Sequence, residues 1–281
     1  MSKVKILTDS SVQLTPEEIE KYNISVVPLT ISIDEKTYVD GVNITREKFV
    51  EEMDSSKDLP KTSQPSIGTF MDIIDKVPED YTDILMLIMT PAISGTINAA
   101  RQVAEMAERN VEVIDTEFTD RAQGFQVLKA AQMAQDGKSV EEIKQALDVL
   151  RDHTYLYMGV TSIENILRGG RLSRFAGTLS TLLNINLVLT VKNNSLDIAK
   201  RGRGRKTIEK YMNNVLEEIK GLKNIKAVGI SYVDKMDYVN ELKEKLEEII
   251  PDVPLLIRVT SPVIATHAGS GAFAIEFYTE S

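Results

Sequence analysis

The composition is most informative for what it lacks. The chain of 281 residues contains no cysteine and only two histidines, His153 and His267. Without cysteine there are no disulfides, thiolate metal sites or cysteine nucleophiles. Two histidines are too few for a zinc site built on several imidazoles. Carboxylate sites for Mg²⁺ are not excluded on this ground, but no carboxylate pair stands out. We therefore expect neither a metal nor a cofactor.

Long apolar runs and positive charge are also scarce. No stretch approaches the roughly 18 apolar residues that a membrane-spanning helix needs, and the N-terminus lacks the apolar run and cleavage site of a signal peptide. We expect a cytoplasmic protein without an integral membrane segment, while transient membrane contact stays open. Acidic residues outnumber basic ones by 42 to 33, a net charge of -9. This charge repels phosphate backbones and argues against a nucleic-acid partner.

Strand-like and helix-like patterns alternate along most of the chain. Short apolar runs at residues 4–8, 84–89 and 111–115 predict buried strands, and helical spacing of apolar residues follows each of them. This rhythm is typical of a parallel sheet with helices packed on it. We predict two α/β domains, residues 1–160 and residues 161–281. The N-terminal domain is expected to carry a mostly parallel sheet flanked by helices.

Three polar segments are candidates for a binding site. Residues 61–66 read as a hydroxyl-rich loop before a helix, in which Ser66 is expected to cap the helix. Ser94 stands between a buried strand and a helix, where free backbone N–H groups favour an anion, although a simple capping role is equally compatible with its position. His267 is predicted to lie in a glycine-flanked loop, and His153 is expected to be structural.

Two basic clusters interrupt the second half of the chain, at residues 167–174 and 200–206. The second is predicted to open a helix, and it fails the phosphate-loop pattern because its upstream glycine is missing. Cations at a helix start oppose the helix dipole, which suggests docking of an acidic partner or a phosphate. No serine-histidine-acid triad can be assembled, which favours a binding protein over an enzyme. The alternative is a stand-alone hydrolase or phosphotransferase that uses Ser94 and His267.

Five segments together resemble the DegV family, and specifically the fatty-acid-binding members that serve the bacterial fatty acid kinase. The likeness covers essentially the whole chain. The matching segments, in chain order, are Thr8-Asp9-Ser10-Ser11, Lys61-Thr62-Ser63-Gln64-Pro65-Ser66, Ile93-Ser94-Gly95-Thr96, Gly169-Gly170-Arg171-Leu172-Ser173 and Pro262-Val263-Ile264-Ala265-Thr266-His267-Ala268-Gly269.

The resemblance implies two α/β domains with an acyl chain buried between or within them. It also implies that Thr62, Ser94 and His267 hold the carboxylate of a long-chain fatty acid, which a separate ATP-dependent kinase converts to an acyl phosphate for phospholipid synthesis. The chain itself would then be a lipid-binding subunit without catalytic residues. Supporting site residues are expected at Ser63, Gly95, Thr96 and Thr266. Docking of the kinase is expected at Arg171, Arg174, Arg201, Arg203 and Arg205.

Overall fold

The protein contains two α/β units, each built on its own sheet, which confirms the predicted fold class. The computed structural model describes residues 3–172 and 185–280. Arg174, one of the predicted docking residues, lies outside the described residues.

Four parallel strands form the first sheet, and three antiparallel strands form a small sheet beside it. The elements of this unit are β1 (Val4–Asp9), α1 (Pro16–Lys21), β2 (Ser25–Val27), β3 (Thr30–Ile33), β4 (Lys36–Val39), α2 (Arg46–Ser55), β5 (Lys61–Ser63), α3 (Ile67–Ile74), β6 (Asp83–Ile88), α4 (Thr96–Met106), β7 (Asn110–Asp115), α5 (Asp120–Gln135) and α6 (Val140–Asp152). The four-stranded sheet has the order β2-β1-β6-β7, and the small sheet has the order β4-β3-β5.

Six strands form the sheet of the second unit. Its elements are β8 (Thr154–Val160), α7 (Glu164–Arg168), β9 (Ile185–Lys192), β10 (Ser195–Arg203), α8 (Lys206–Gly221), β11 (Ile225–Tyr232), α9 (Asp237–Ile249), β12 (Leu255–Val259), α10 (Pro262–Ala268) and β13 (Phe273–Thr279). The strand order is β10-β9-β8-β13-β11-β12. Only the β11–β12 pair is parallel, and the other neighbours are antiparallel.

The sheet pairing bears on where the first unit ends. Strand β8 pairs with β9 and β13, so the residues just before position 160 belong to the second sheet. We therefore propose that the division lies at the start of β8 rather than after its end. Helix α10 belongs to the second unit but packs against the first, because Val263 and Ala265 share an apolar cluster with Leu29 and Ile31.

Several local predictions are confirmed. Thr15 and Ser139 each begin a helix with a complete capping box, and Ser66 caps α3. Strand β6 is buried along almost its whole length, as expected of a strand covered on both faces. Asn193 and Asn194 turn the β9–β10 hairpin with φ angles of 50° and 55°, a left-handed conformation that asparagine tolerates.

Three local predictions are wrong. Residues 61–63 form strand β5 instead of a loop, and their polar side chains are typical of a short edge strand. His267 lies on helix α10: Ser261 and Pro262 start this helix and Gly269, with φ of 78°, ends it. The basic cluster lies mostly on strand β10, and the following helix begins only at Lys206.

Candidate functional site

A partly open, mostly apolar cavity of about 260 Å³ lies between the two units. Both units contribute to its wall, so neither unit alone contains the whole cavity. Its apolar lining includes Met89, Ile93, Leu156, Met158, Leu196 and Ile264. Such a cavity favours an apolar ligand, because each buried methylene contributes about 0.8 kcal/mol.

Thr62 and His267 meet at one side of this cavity, although 205 residues separate them in the sequence. Thr62 lies on β5 and His267 on the last turn of α10, and Thr62 Oγ1 lies 2.8 Å from His267 Nε2. Strand β5 is fixed by its pairing with β3, and α10 packs on both of these strands. The structure therefore brings together two of the three residues predicted to hold a carboxylate.

Ser94 lines the same cavity from the turn between β6 and α4. Its hydroxyl lies 2.8 Å from Thr96 Oγ1 and accepts a hydrogen bond of 3.3 Å from the Thr96 N–H. The residue that directly precedes α4 is Gly95, so Ser94 is not the N-cap in the strict sense. Its hydroxyl is therefore placed at the cavity wall, next to the start of a helix, where an anion is favoured.

The four supporting residues divide into two pairs. Ser63 and Gly95 line the cavity, whereas Thr96 and Thr266 do not. The Thr96 hydroxyl contacts Ser94, and the Thr266 hydroxyl donates to the carbonyl oxygen of Pro262 in its own helix. Thr96 therefore helps to orient the Ser94 hydroxyl, and Thr266 stabilises α10.

Arg171 occupies a position that the sequence did not suggest. Instead of lying on an outer surface, it is half-buried and lines the cavity beside His267. Its Nε donates to the carbonyl oxygen of Ile93 at 3.0 Å, and its Nη1 donates to that of Gly169 at 2.6 Å. The only hint in the sequence is that Arg171 directly follows two glycines. Burial lowers the pKa of the guanidinium, which means that this cation would gain from a buried anion.

Gln64 is a second cavity-lining residue that the sequence does not single out. It lines the cavity next to Ser94, and a Cβ atom at Gly95 would lie 2.7 Å from Gln64 Oε1. Glycine at position 95 therefore lets this side chain approach the turn that carries Ser94.

His267 is neutral at physiological pH. Burial is the larger cause and the nearby charge of Arg171 the smaller, and together they lower the pKa of His267 to about 3. Its Nδ1 atom is buried without a hydrogen-bond partner among the described residues. The ring nitrogen that makes a polar contact is therefore Nε2, which faces the Thr62 hydroxyl.

A second, open cavity adjoins the first. Thr62, Arg171 and His267 line both, and the open one is also lined by the basic residues Lys61 and Arg168. These three side chains, which together with Ser94 we call the first polar group, therefore lie where the apolar cavity meets a polar space that opens to solvent.

Two further properties of the described residues bear on function. None of their helices is long and apolar enough to cross a membrane. They contain no cluster of three or more histidine, aspartate or glutamate residues that could hold a metal ion.

Comparison with known proteins gives consistent matches. The family model described as "Uncharacterised protein, DegV family" matches residues 3–280. A DegV domain-containing protein of Streptococcus pneumoniae is 41% identical over 275 residues, which cover 98% of each chain. Among solved structures, DegV of Bacillus subtilis, a fatty acid binding protein, superposes over 100% of both chains with a TM-score of 0.91 and 27% identity. A fatty acid binding DegV family protein of Streptococcus agalactiae gives a TM-score of 0.89, again with 27% identity and full coverage of both chains.

Proposed function

This chain belongs to the DegV family, and we propose that it binds a long-chain fatty acid and presents its carboxyl group to a separate ATP-dependent kinase. One observation carries the proposal: the apolar cavity has, at the boundary with a more open polar cavity, a group of hydroxyl, imidazole and guanidinium side chains. The fatty acids bound by the B. subtilis and S. agalactiae proteins support the ligand class.

The polar group suits a carboxylate. Burying this anion is costly unless it is hydrogen-bonded and compensated by a positive charge. The hydroxyls of Thr62 and Ser94 supply donors, and Arg171 supplies the charge. Neutral His267 has one ring N–H, and its contact with Thr62 orients the threonine hydroxyl. We assign Thr62, Ser94 and His267 as carboxylate-binding residues and add Arg171, in place of its predicted role in docking.

The position of the carboxyl group supports presentation to a partner. A carboxylate held by these residues would face the open polar cavity, while its acyl chain stays in the apolar one. The open side also carries positive charge at Lys61 and Arg168, which suits a reaction that transfers an anionic phosphoryl group. The kinase partner itself rests on the family resemblance, and the cytoplasmic location stays a prediction from sequence.

The geometry gives little support to a stand-alone hydrolase or phosphotransferase. His267 Nε2 contacts Thr62, whereas the Ser94 hydroxyl contacts Thr96. A serine nucleophile needs a base within hydrogen-bond reach and a third group that orients this base. Among the described residues, His267 Nδ1 has no partner that could orient it.

Oleate titration of lipid-free protein tests the proposed function. Wild type should bind oleate, and Ser94→Ala should weaken binding about tenfold, because a buried carboxylate that loses one donor costs about 1–3 kcal/mol. Ser66→Ala is the control, since it removes the same group from a helix cap outside the cavity. Equal oleate affinity in wild type and Ser94→Ala would remove Ser94 from the site, and no binding by wild type would refute the proposal.

A further inference from the structure

A second polar group lines the same apolar cavity. It consists of Thr119, at the start of α5, its neighbour Asp120, and Glu276 on β13. No hydrogen bond found among the described residues joins this group to Thr62, Ser94 or His267. The two carboxyl groups have partners in the fold, because the Thr260 hydroxyl donates to Asp120 and the Arg121 N–H donates to Glu276. A cavity that only had to hold a plain hydrocarbon chain would have no use for the Thr119 hydroxyl, because a polar group facing an apolar ligand loses its hydration.

Thr119 is the residue whose side chain the fold itself does not use. It is 7% exposed, and its Oγ1 is buried without a partner among the described residues. It precedes α5 in the N-cap position, where a threonine hydroxyl normally accepts a backbone N–H, but its side chain makes no such bond. An unpaired hydroxyl that lines a cavity is available to a ligand.

The two carboxyl groups meet at one serine hydroxyl. Ser231 Oγ lies 2.9 Å from Asp120 Oδ1 and 3.3 Å from Glu276 Oε2. A hydroxyl has a single hydrogen, so both contacts are full two-centre hydrogen bonds only if one carboxyl group is protonated and donates to Ser231. Burial raises the pKa of Glu276 well above its usual value, with the nearby Asp120 as a further cause. The cavity wall thus carries both hydrogen-bond donors and acceptors at this point.

We propose that this second polar group is a subsite for an oxygen substituent on the acyl chain, and that the protein accepts hydroxylated long-chain fatty acids. The inference rests on the proposed function, since the carboxylate must be held by the first polar group. A chain hydroxyl would accept the hydrogen of Thr119 and donate its own to a carboxyl oxygen of the Asp120–Glu276 pair. Without partners, the same hydroxyl would make binding less favourable than that of the plain chain.

The test compares stearate with a panel of monohydroxystearates substituted from mid-chain to the methyl end. Each acid is titrated into lipid-free wild type, Thr119→Val and the control Thr37→Val. Valine keeps the shape of threonine and removes only the hydroxyl, and no capping bond is lost at position 119. Thr37 is exposed on β4 and does not line the cavity. Thermal unfolding of each variant checks that the fold is retained.

Wild type should bind at least one hydroxystearate as tightly as stearate or more tightly. Thr119→Val should lower the affinity for this isomer, relative to stearate, by about tenfold, and Thr37→Val should not change the ratio. If every isomer binds wild type far more weakly than stearate, or if Thr119→Val leaves the ratio unchanged, the subsite does not exist and Thr119 binds water at most. Failure of stearate itself to bind would instead refute the proposed function and the subsite together.

Discussion

At the scale of single residues, the site depends on a glycine that no ligand needs to touch. A Cβ atom built at Gly169 would lie 2.3 Å from His267 Nδ1. The backbone at Gly169 is ordinary, with φ of -69°, so any residue could adopt it. The requirement for glycine is therefore purely steric: the imidazole occupies the space that a side chain would fill.

We expect Gly169→Ala to lower oleate affinity about tenfold, because displacing the imidazole breaks its contact with Thr62 and costs roughly one buried hydrogen bond. Titration with oleate measures this change. Gly221→Ala is the matched control, since a Cβ atom at the end of α8 would meet no atom within 4 Å. Equal affinity in the two variants would show that the position of His267 is not critical for the ligand.

Residue types at loop positions predicted part of this site. Ser94 was identifiable because a hydroxyl between a buried strand and a helix start suits an anion. Thr62 and His267 needed the family resemblance, since no local pattern links two residues 205 positions apart. The position of Arg171 beside the cavity could not be predicted, because only the tertiary structure shows that its guanidinium is held there by two backbone carbonyls.

At the scale of elements, strand β10 is distinctive for the positive charge on the part of it that lies outside the cavity. It forms one edge of the six-stranded sheet, and Arg201 and Arg203 are exposed on it. Neither forms an ion pair within the described residues, whereas Arg205 pairs with Glu209 and lies over the ring of Tyr238. Positive charge on an edge strand also hinders edge-to-edge aggregation. Arg201 and Arg203 are thus better docking candidates than Arg205.

We expect Arg201→Glu to slow acyl-phosphate formation by the partner kinase while oleate affinity stays unchanged, because the residue lies outside the cavity and reversal of a rim charge mainly slows association. The rate is measured at limiting concentrations of the protein. Lys76→Glu, which makes the same charge change at another exposed position, is the control. Equal rates for the two variants would refute a docking role for this strand.

Element types were easier to predict than their limits. The capping boxes at Thr15 and Ser139 and the asparagine turn were read correctly, because each depends on neighbouring residues alone. Strand β5 was missed because pairing with β3, and not its own polar sequence, makes it a strand. A loop was predicted around His267 because glycines follow it closely. In the structure, Gly269 comes directly after the last residue of helix α10 and ends this helix.

At the scale of the whole molecule, the cavity depends on the meeting of the two units. The cavity takes Met89 and Thr62 from the first unit and Leu156, Leu196 and His267 from the second. Alternating strands and helices predicted the fold class, but periodicity cannot show which faces of two sheets enclose a space. Since an acyl chain would bury its methylenes against both units, bound lipid should also stabilise the folded chain by mass action.

Mass spectrometry of the organic extract from purified, unfolded protein tests the central claim most directly. The account predicts a long-chain fatty acid in near-stoichiometric amount, because the apolar cavity buries its acyl chain. Oleate added to the lipid-free protein should restore the bound state. An extract free of fatty acid, together with no oleate binding by folded, lipid-free protein, would contradict the account.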